Sequence, residues 1–135
     1  MTSIVLDPIG VVRSPLLRRK DAPRSPRAGA PEATLEIDEK FLAALDGVGP
    51  GTELIVVTWL HEAVRETLQV HPGRDPTRAL TGVFATRSPD RPNPIGIHRV
   101  TVAALDPPAT LRVSALEAID GTPILDLKIA LDNER

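Results

Sequence analysis

Gly96-Ile-His-Arg-Val-Thr-Val-Ala-Ala-Leu105 decides the fold, read together with the runs Leu111 to Leu116 and Ile124 to Leu131 that follow it. These segments are rich in β-branched and aliphatic residues and are parted by Pro107-Pro108 and Asp120-Gly121, with no helical spacer between them. Strands joined this closely are antiparallel neighbours, because a parallel crossover needs a dozen or more residues. Asp-Gly is a type I′ hairpin signal, so a hairpin turn is expected at Asp120-Gly121.

Working outward, Ile4 to Val12 reads as a strand interrupted at Pro8, Thr34 to Ile37 as a short strand, and Glu53 to Leu60 as a strongly apolar one. Leu80 to Thr86 adds another. Asp38 is a plausible N-cap for one brief helix that places Phe41, Leu42 and Leu45 on one face and ends at Gly47. Gly47-Val-Gly-Pro-Gly51 follows that helix and opens a strand, the reverse of a dinucleotide-binding loop, so it reads as a turn. Long loops cover Ser14 to Pro31 and Ala63 to Arg78, broken by prolines and by Pro72-Gly73. Six or seven short strands without strand-helix alternation make a mainly β fold, expected as a single antiparallel β-barrel domain over residues 1–135 with one short helix and long loops.

Composition narrows the function classes. The 135 residues are 41% hydrophobic and only 2% aromatic, with Trp59, Phe41 and Phe84 alone, so aliphatic side chains must fill the interior and base-stacking platforms are few. There is no cysteine, which excludes disulfides, thiolate metal sites and cysteine catalysis and fits a reducing compartment. His61, His71 and His98 lack the clustered spacing of a zinc site, so no metal is expected. No apolar run reaches transmembrane length and Met1 to Arg13 lacks the pattern of a signal peptide, so no membrane association is expected and the location is read as cytoplasmic. A net charge of -2 argues against non-specific nucleic-acid binding by the whole surface. Positive charge gathers locally at Arg13, Arg18, Arg19, Lys20, Arg24 and Arg27, and Arg18 and Arg19 are candidates for phosphate contacts.

A second stretch carries the chemistry. In Gly82-Val-Phe-Ala-Thr-Arg-Ser-Pro-Asp-Arg-Pro-Asn-Pro-Ile-Gly96, Val83 to Ala85 suit a strand, and Pro89, Pro92 and Pro94 stiffen the loop from which Arg87 and Arg91 project. Arg91 and Asn93 are candidate substrate contacts. No Walker loop, Rossmann glycine pattern or nucleophile elbow is present.

Together with Ile9-Gly-Val-Val-Arg-Ser-Pro15, Trp59-Leu-His61 and Asp120-Gly-Thr-Pro-Ile-Leu-Asp-Leu-Lys128, in that order, the stretch resembles the TsaA-like β-barrel family of tRNA N6-adenosine methyltransferases. The resemblance spans nearly the whole chain. It implies a barrel that binds S-adenosyl-L-methionine, pairs as a homodimer with the cofactor near the interface, and methylates N6 of threonylcarbamoyl-adenosine in tRNA. It implies cofactor contacts at Pro23, Arg24 and Ser25, the last standing where the family has glutamine, at His61 and Glu62, at Arg87 and Ile97, and at Asp120, Gly121, Thr122 and Pro123. The family's Lys-Pro-Tyr ending reads Lys128-Ile129-Ala130 here, and the extra C-terminal region of larger members is not in this sequence. Chemistry agrees: Arg87 or Arg24 suits a ligand carboxylate, and Glu62 or Asp120 suits a cationic sulfonium. In-line methyl transfer gains much from alignment, so no residue is assigned as a base. Two other functions stay open, a small-molecule methyltransferase on the same barrel and a non-catalytic cofactor-binding dimer.

Overall fold

A computed structural model describes residues 2–23 and 29–132. Its strands are β1 (Gly10–Arg13), β2 (Ala33–Ile37), β3 (Glu53–Trp59), β4 (Gln69–Val70), β5 (Thr81–Gly82), β6 (Ile95–Asp106), β7 (Thr110–Val113) and β8 (Pro123–Ile129). Six of them close a barrel in the order β1-β2-β7-β6-β3-β8, every pair antiparallel, while β4 and β5 form a separate two-stranded ribbon. The expected mainly β, antiparallel barrel is what the chain forms.

Alternation builds the wall. Along β3 the residues Leu54, Val56 and Thr58 point inward, and along β6 Gly96, His98, Val100 and Val102 do so. Leu35 of β2 sits opposite Leu111 of β7, both fully buried, and joins Val12, Val113, Leu116 and Ile124 in an aliphatic core. Valine, leucine and isoleucine do fill the interior; Phe41 packs only at its edge and Phe84 lies on the surface.

Several local expectations are corrected. The first strand is shorter than Ile4 to Val12, because Ile4 and Val5 are exposed and the ladder with β2 and β8 begins at Gly10, with the Ile9 amide already donating to the Ile124 carbonyl of β8. Gly10 is required there, since a Cβ would collide with the Glu36 carbonyl of β2. The segment after Asp38 is a 3₁₀ helix over Glu39–Leu45, with Asp38 accepting from the Lys40 amide; of the expected inner face Leu45 is buried and Phe41 packs at the core's edge, while Leu42 is exposed. Val83 to Ala85 form a 3₁₀ turn and not a strand, and only Thr81 and Gly82 pair, with β4 inside the expected Ala63 to Arg78 loop. Asp120-Gly121 makes no hairpin. Strand β7 pairs with β2 and β6, and β8 with β1 and β3, so the turn connects strands that are not neighbours. Pro107-Pro108 does join the paired strands β6 and β7.

Candidate functional site

One large cavity, about 980 Å³, opens where the ends of β3 and β6 meet the loop after β1, the β4–β5 ribbon and the central proline-rich loop. Its size suits a drug-sized or cofactor-sized ligand, since such sites run ~300–1,000 Å³. Proline and arginine shape its upper wall. Arg91 donates to the carbonyls of Ser88, Val83 and Thr86 at 2.7, 2.9 and 2.7 Å, so its guanidinium braces the loop from within. Asn93 accepts from Arg65 at 3.0 Å, and Arg65 also donates to the Pro92 carbonyl and stacks on Trp59. Arg91 and Asn93, expected as substrate contacts, are thus occupied in holding the frame.

Arg87 is different. It is exposed, lines the cavity and has no hydrogen-bond or ion-pair partner among the described residues. Arg74 and Arg78, carried by the β4–β5 ribbon, also line the mouth with side chains unpaired among the described residues.

The N-terminal loop is tied to this wall through Arg19, whose guanidinium meets the Asp90 carboxylate at 2.9 Å and the Glu62 carbonyl at 3.3 Å. The Val64 amide donates to Asp90 Oδ1 at 2.8 Å. Burial by itself pushes the Asp90 carboxyl up, but the hydrogen bonds from Arg19 and Val64 and the charges of Arg19 and Arg74 outweigh it and hold the group below its ordinary value. Arg19 therefore works as a clasp, while Arg18 is exposed and pairs locally with Asp21.

Of the cofactor positions implied by resemblance, Pro23, His61, Glu62, Arg87 and Thr122 line this cavity. His61 and Glu62 are exposed side by side at the end of β3, 3.7 Å apart. Asp120 instead braces the chain after β1, accepting from the Ser14 amide at 3.1 Å and facing Arg13 at 3.6 Å. Gly121 takes the positive φ that the turn demands, +83°, and its amide donates to the Val12 carbonyl. Pro123 opens β8 and does not reach the cavity. Ile97 lies half exposed on the outer face of β6, beside Val57 of β3. Arg24 and Ser25 lie outside the described residues.

The floor holds residues that sequence reasoning missed as a site. His98 is 5% exposed, and its Nδ1 lies 2.6 Å from Glu117 Oε1 while its Nε2 lies 2.7 Å from Thr58 Oγ1. In the neutral ring, Nδ1–H donates to the carboxylate and Nε2 accepts the threonine hydroxyl. Gly96 makes room for this, since a Cβ there would stand 2.5 Å from Thr58 Oγ1 and 2.8 Å from His98 Nε2. Glu117 Oε2 is buried with no hydrogen-bond partner among the described residues, a state that ordinarily costs about 1–3 kcal/mol. Beside it the floor is apolar, formed by Leu60, Ala118 and Ile119. No group of three or more potential metal ligands is assembled among the described residues.

Residues 11–132 match the model of the tRNA-methyltransferase O N-terminal domain. The chain belongs to that family. Among curated relatives it is 42% identical over 125 residues to a probable S-adenosyl-L-methionine-binding protein of Methanothermobacter thermautotrophicus, covering 93% of this chain and 88% of that one. It is 38% identical over 126 residues to an S-adenosyl-L-methionine-binding protein of Archaeoglobus fulgidus, again 93% and 88% of the two chains. The crystal structure of TrmO from Pseudomonas aeruginosa superposes with a TM-score of 0.76 at 30% identity, covering 99% of this chain. The chain spans 61% of that structure's length. No helix among the described residues of this TrmO-family chain is long and apolar enough to cross a membrane.

Proposed function

We propose that this chain binds S-adenosyl-L-methionine in the 980 Å³ cavity and serves as a methyltransferase acting on N6 of threonylcarbamoyl-adenosine in tRNA. The observation that carries the reading is convergence. Pro23, His61, Glu62, Arg87 and Thr122 come from separate stretches of the chain, are among the positions that the family resemblance marks for the cofactor, and share one cavity. The residues also fit the cofactor's chemistry: a guanidinium unpaired among the described residues for its carboxylate, an apolar floor for a purine, and a buried carboxylate oxygen with no partner among the described residues for a donor.

The bound cofactor supplies an electrophilic methyl group on a sulfonium. The chain's own share is placement. Arg87 attracts the carboxylate, Arg91 and Arg65 keep the proline loop rigid, and the Arg19–Asp90 clasp holds the N-terminal loop against the mouth. Fixing the partners in line is worth up to ~7–11 kcal/mol in ideal cases, so the rigidity is itself catalytic capital. Arg74, Arg78 and Arg18 offer phosphate contacts on a surface that is otherwise not basic.

The reading extends to a homodimer in the cytoplasm. Ile95 and Ile97 are 43% and 50% exposed on the outer face of β6, beside Trp59 and Val57, an apolar strip that a second copy would cover. With Ile97 outside its own cavity, a cofactor contact from it would have to be made across that interface.

Labelled methyl transfer from S-adenosyl-L-methionine to two tRNA pools, with and without the threonylcarbamoyl group, tests the substrate. Transfer confined to the first pool is expected. Equal transfer to both, or transfer only to small molecules, would overturn it.

A further inference from the structure

The cavity is chemically lopsided, and the lopsidedness assigns an orientation to the ligand. Its mouth carries Arg74, Arg78 and Arg87, exposed and unpaired among the described residues. Its floor carries Leu60, Ala118 and Ile119 around one anionic group, Glu117. The proposed cofactor is equally lopsided, with a carboxylate on its amino-acid half and neutral hydroxyl and amino donors on its nucleoside half. A ligand carboxylate at the floor would face Glu117 with like charge, whereas at the mouth it meets three guanidinium groups.

We propose that Glu117 is a binding residue for the nucleoside half of the ligand, accepting a hydrogen bond from a ribose hydroxyl or the adenine amino group through Oε2. This rests on the cofactor reading above and deepens it. The group is prepared for such a task. Oε1 is spent on His98 Nδ1, His98 is fixed in turn by Thr58, and Gly96 leaves the space that this relay needs. The remaining oxygen is buried without a partner among the described residues. A carboxylate oriented this firmly presents one acceptor at one place, which recognises a donor and rejects an acceptor. His98 has no free ring nitrogen left for the ligand, so its role is to position Glu117.

Calorimetry with three probes tests this: S-adenosylmethionine, S-adenosylhomocysteine, and 5′-methylthioadenosine, which keeps the nucleoside and lacks the amino-acid half. Glu117→Gln and Glu117→Ala, each confirmed folded by circular dichroism, are expected to weaken all three by tenfold or more in at least the alanine variant. Arg87→Ala is expected to weaken the first two by tenfold or more and to leave 5′-methylthioadenosine within twofold. The assignment is overturned if either Glu117 variant weakens only the amino-acid-bearing ligands, if the alanine variant changes none, or if the wild-type chain binds S-adenosylmethionine but not 5′-methylthioadenosine. A wild-type chain that binds none of the three would instead overturn the cofactor reading itself.

Discussion

Strands β3 and β6 run side by side for seven register pairs, yet the two ends of that ladder do different work. At one end Leu54 faces Val100, with Val56 and Val102 beside them, all nearly inaccessible. At the other, Thr58 faces Gly96 and His98 follows, just as deeply buried. The first end is core, where burial of aliphatic surface stabilises the barrel at about 25 cal/mol per Å². The second buries polar groups and recovers their desolvation only through the Thr58–His98–Glu117 relay. One continuous wall therefore changes from stabilising the fold to furnishing the cavity within two residues of each strand.

The sharpest way to break the comparison is Leu54→Ala. Leu54 is 2% exposed in the aliphatic cluster, so a cavity is left and about 2–5 kcal/mol of stability should be lost by urea unfolding. Ligand affinity of the folded fraction should not change, because Leu54 does not line the cavity. A stability loss matched by an equal affinity loss would erase the distinction between the two ends.

Thr58→Val probes the opposite end with a side chain of nearly the same shape. It removes the hydroxyl facing His98 Nε2 and leaves that buried nitrogen unpartnered, at a cost of about 1–3 kcal/mol. Unlike Leu54→Ala, it should also weaken cofactor binding, since Glu117 loses a firmly held neighbour. A variant as stable as wild type would mean that the relay contributes nothing to the fold.

How much of this the sequence announces follows the same division. The alternation in Gly96 to Val102 and the apolar run of β3 are local patterns, and they translate directly into an antiparallel wall. The relay is not local: Thr58 and His98 are 40 residues apart and Glu117 lies 19 further on, so spacing rules for metal or catalytic sites pass over it. Gly96 is legible in sequence only as the opening of a strand, because the contact it makes room for, Thr58 Oγ1 against His98 Nε2, joins its own strand to another. The Asp120-Gly121 reading fails for a related reason. The dipeptide does produce a positive-φ turn, but β7 finds better neighbours in β2 and β6 than in the strand that follows the turn. Arg87 and Arg91 look equivalent in sequence and separate only when the carbonyls of Val83, Thr86 and Ser88 close on one of them.

The smallest expected effect belongs to the clasp that joins the N-terminal loop to the cavity wall. Asp90 has its pKa held below the ordinary carboxylate value in the folded chain, so its contribution is fully present above the unfolded value of about 3.9 and fades as pH falls through the lower folded value. Its side chain and that of Arg19 are 25% and 34% exposed, and a pair so placed is worth on the order of 0–1 kcal/mol. The melting-temperature difference between wild type and Asp90→Asn should therefore stay flat from neutral pH down to about pH 5 and shrink only under strongly acidic conditions. A difference that instead disappeared near neutral pH would mean that the interaction removed by Asp90→Asn is not the one that holds the Asp90 carboxyl low.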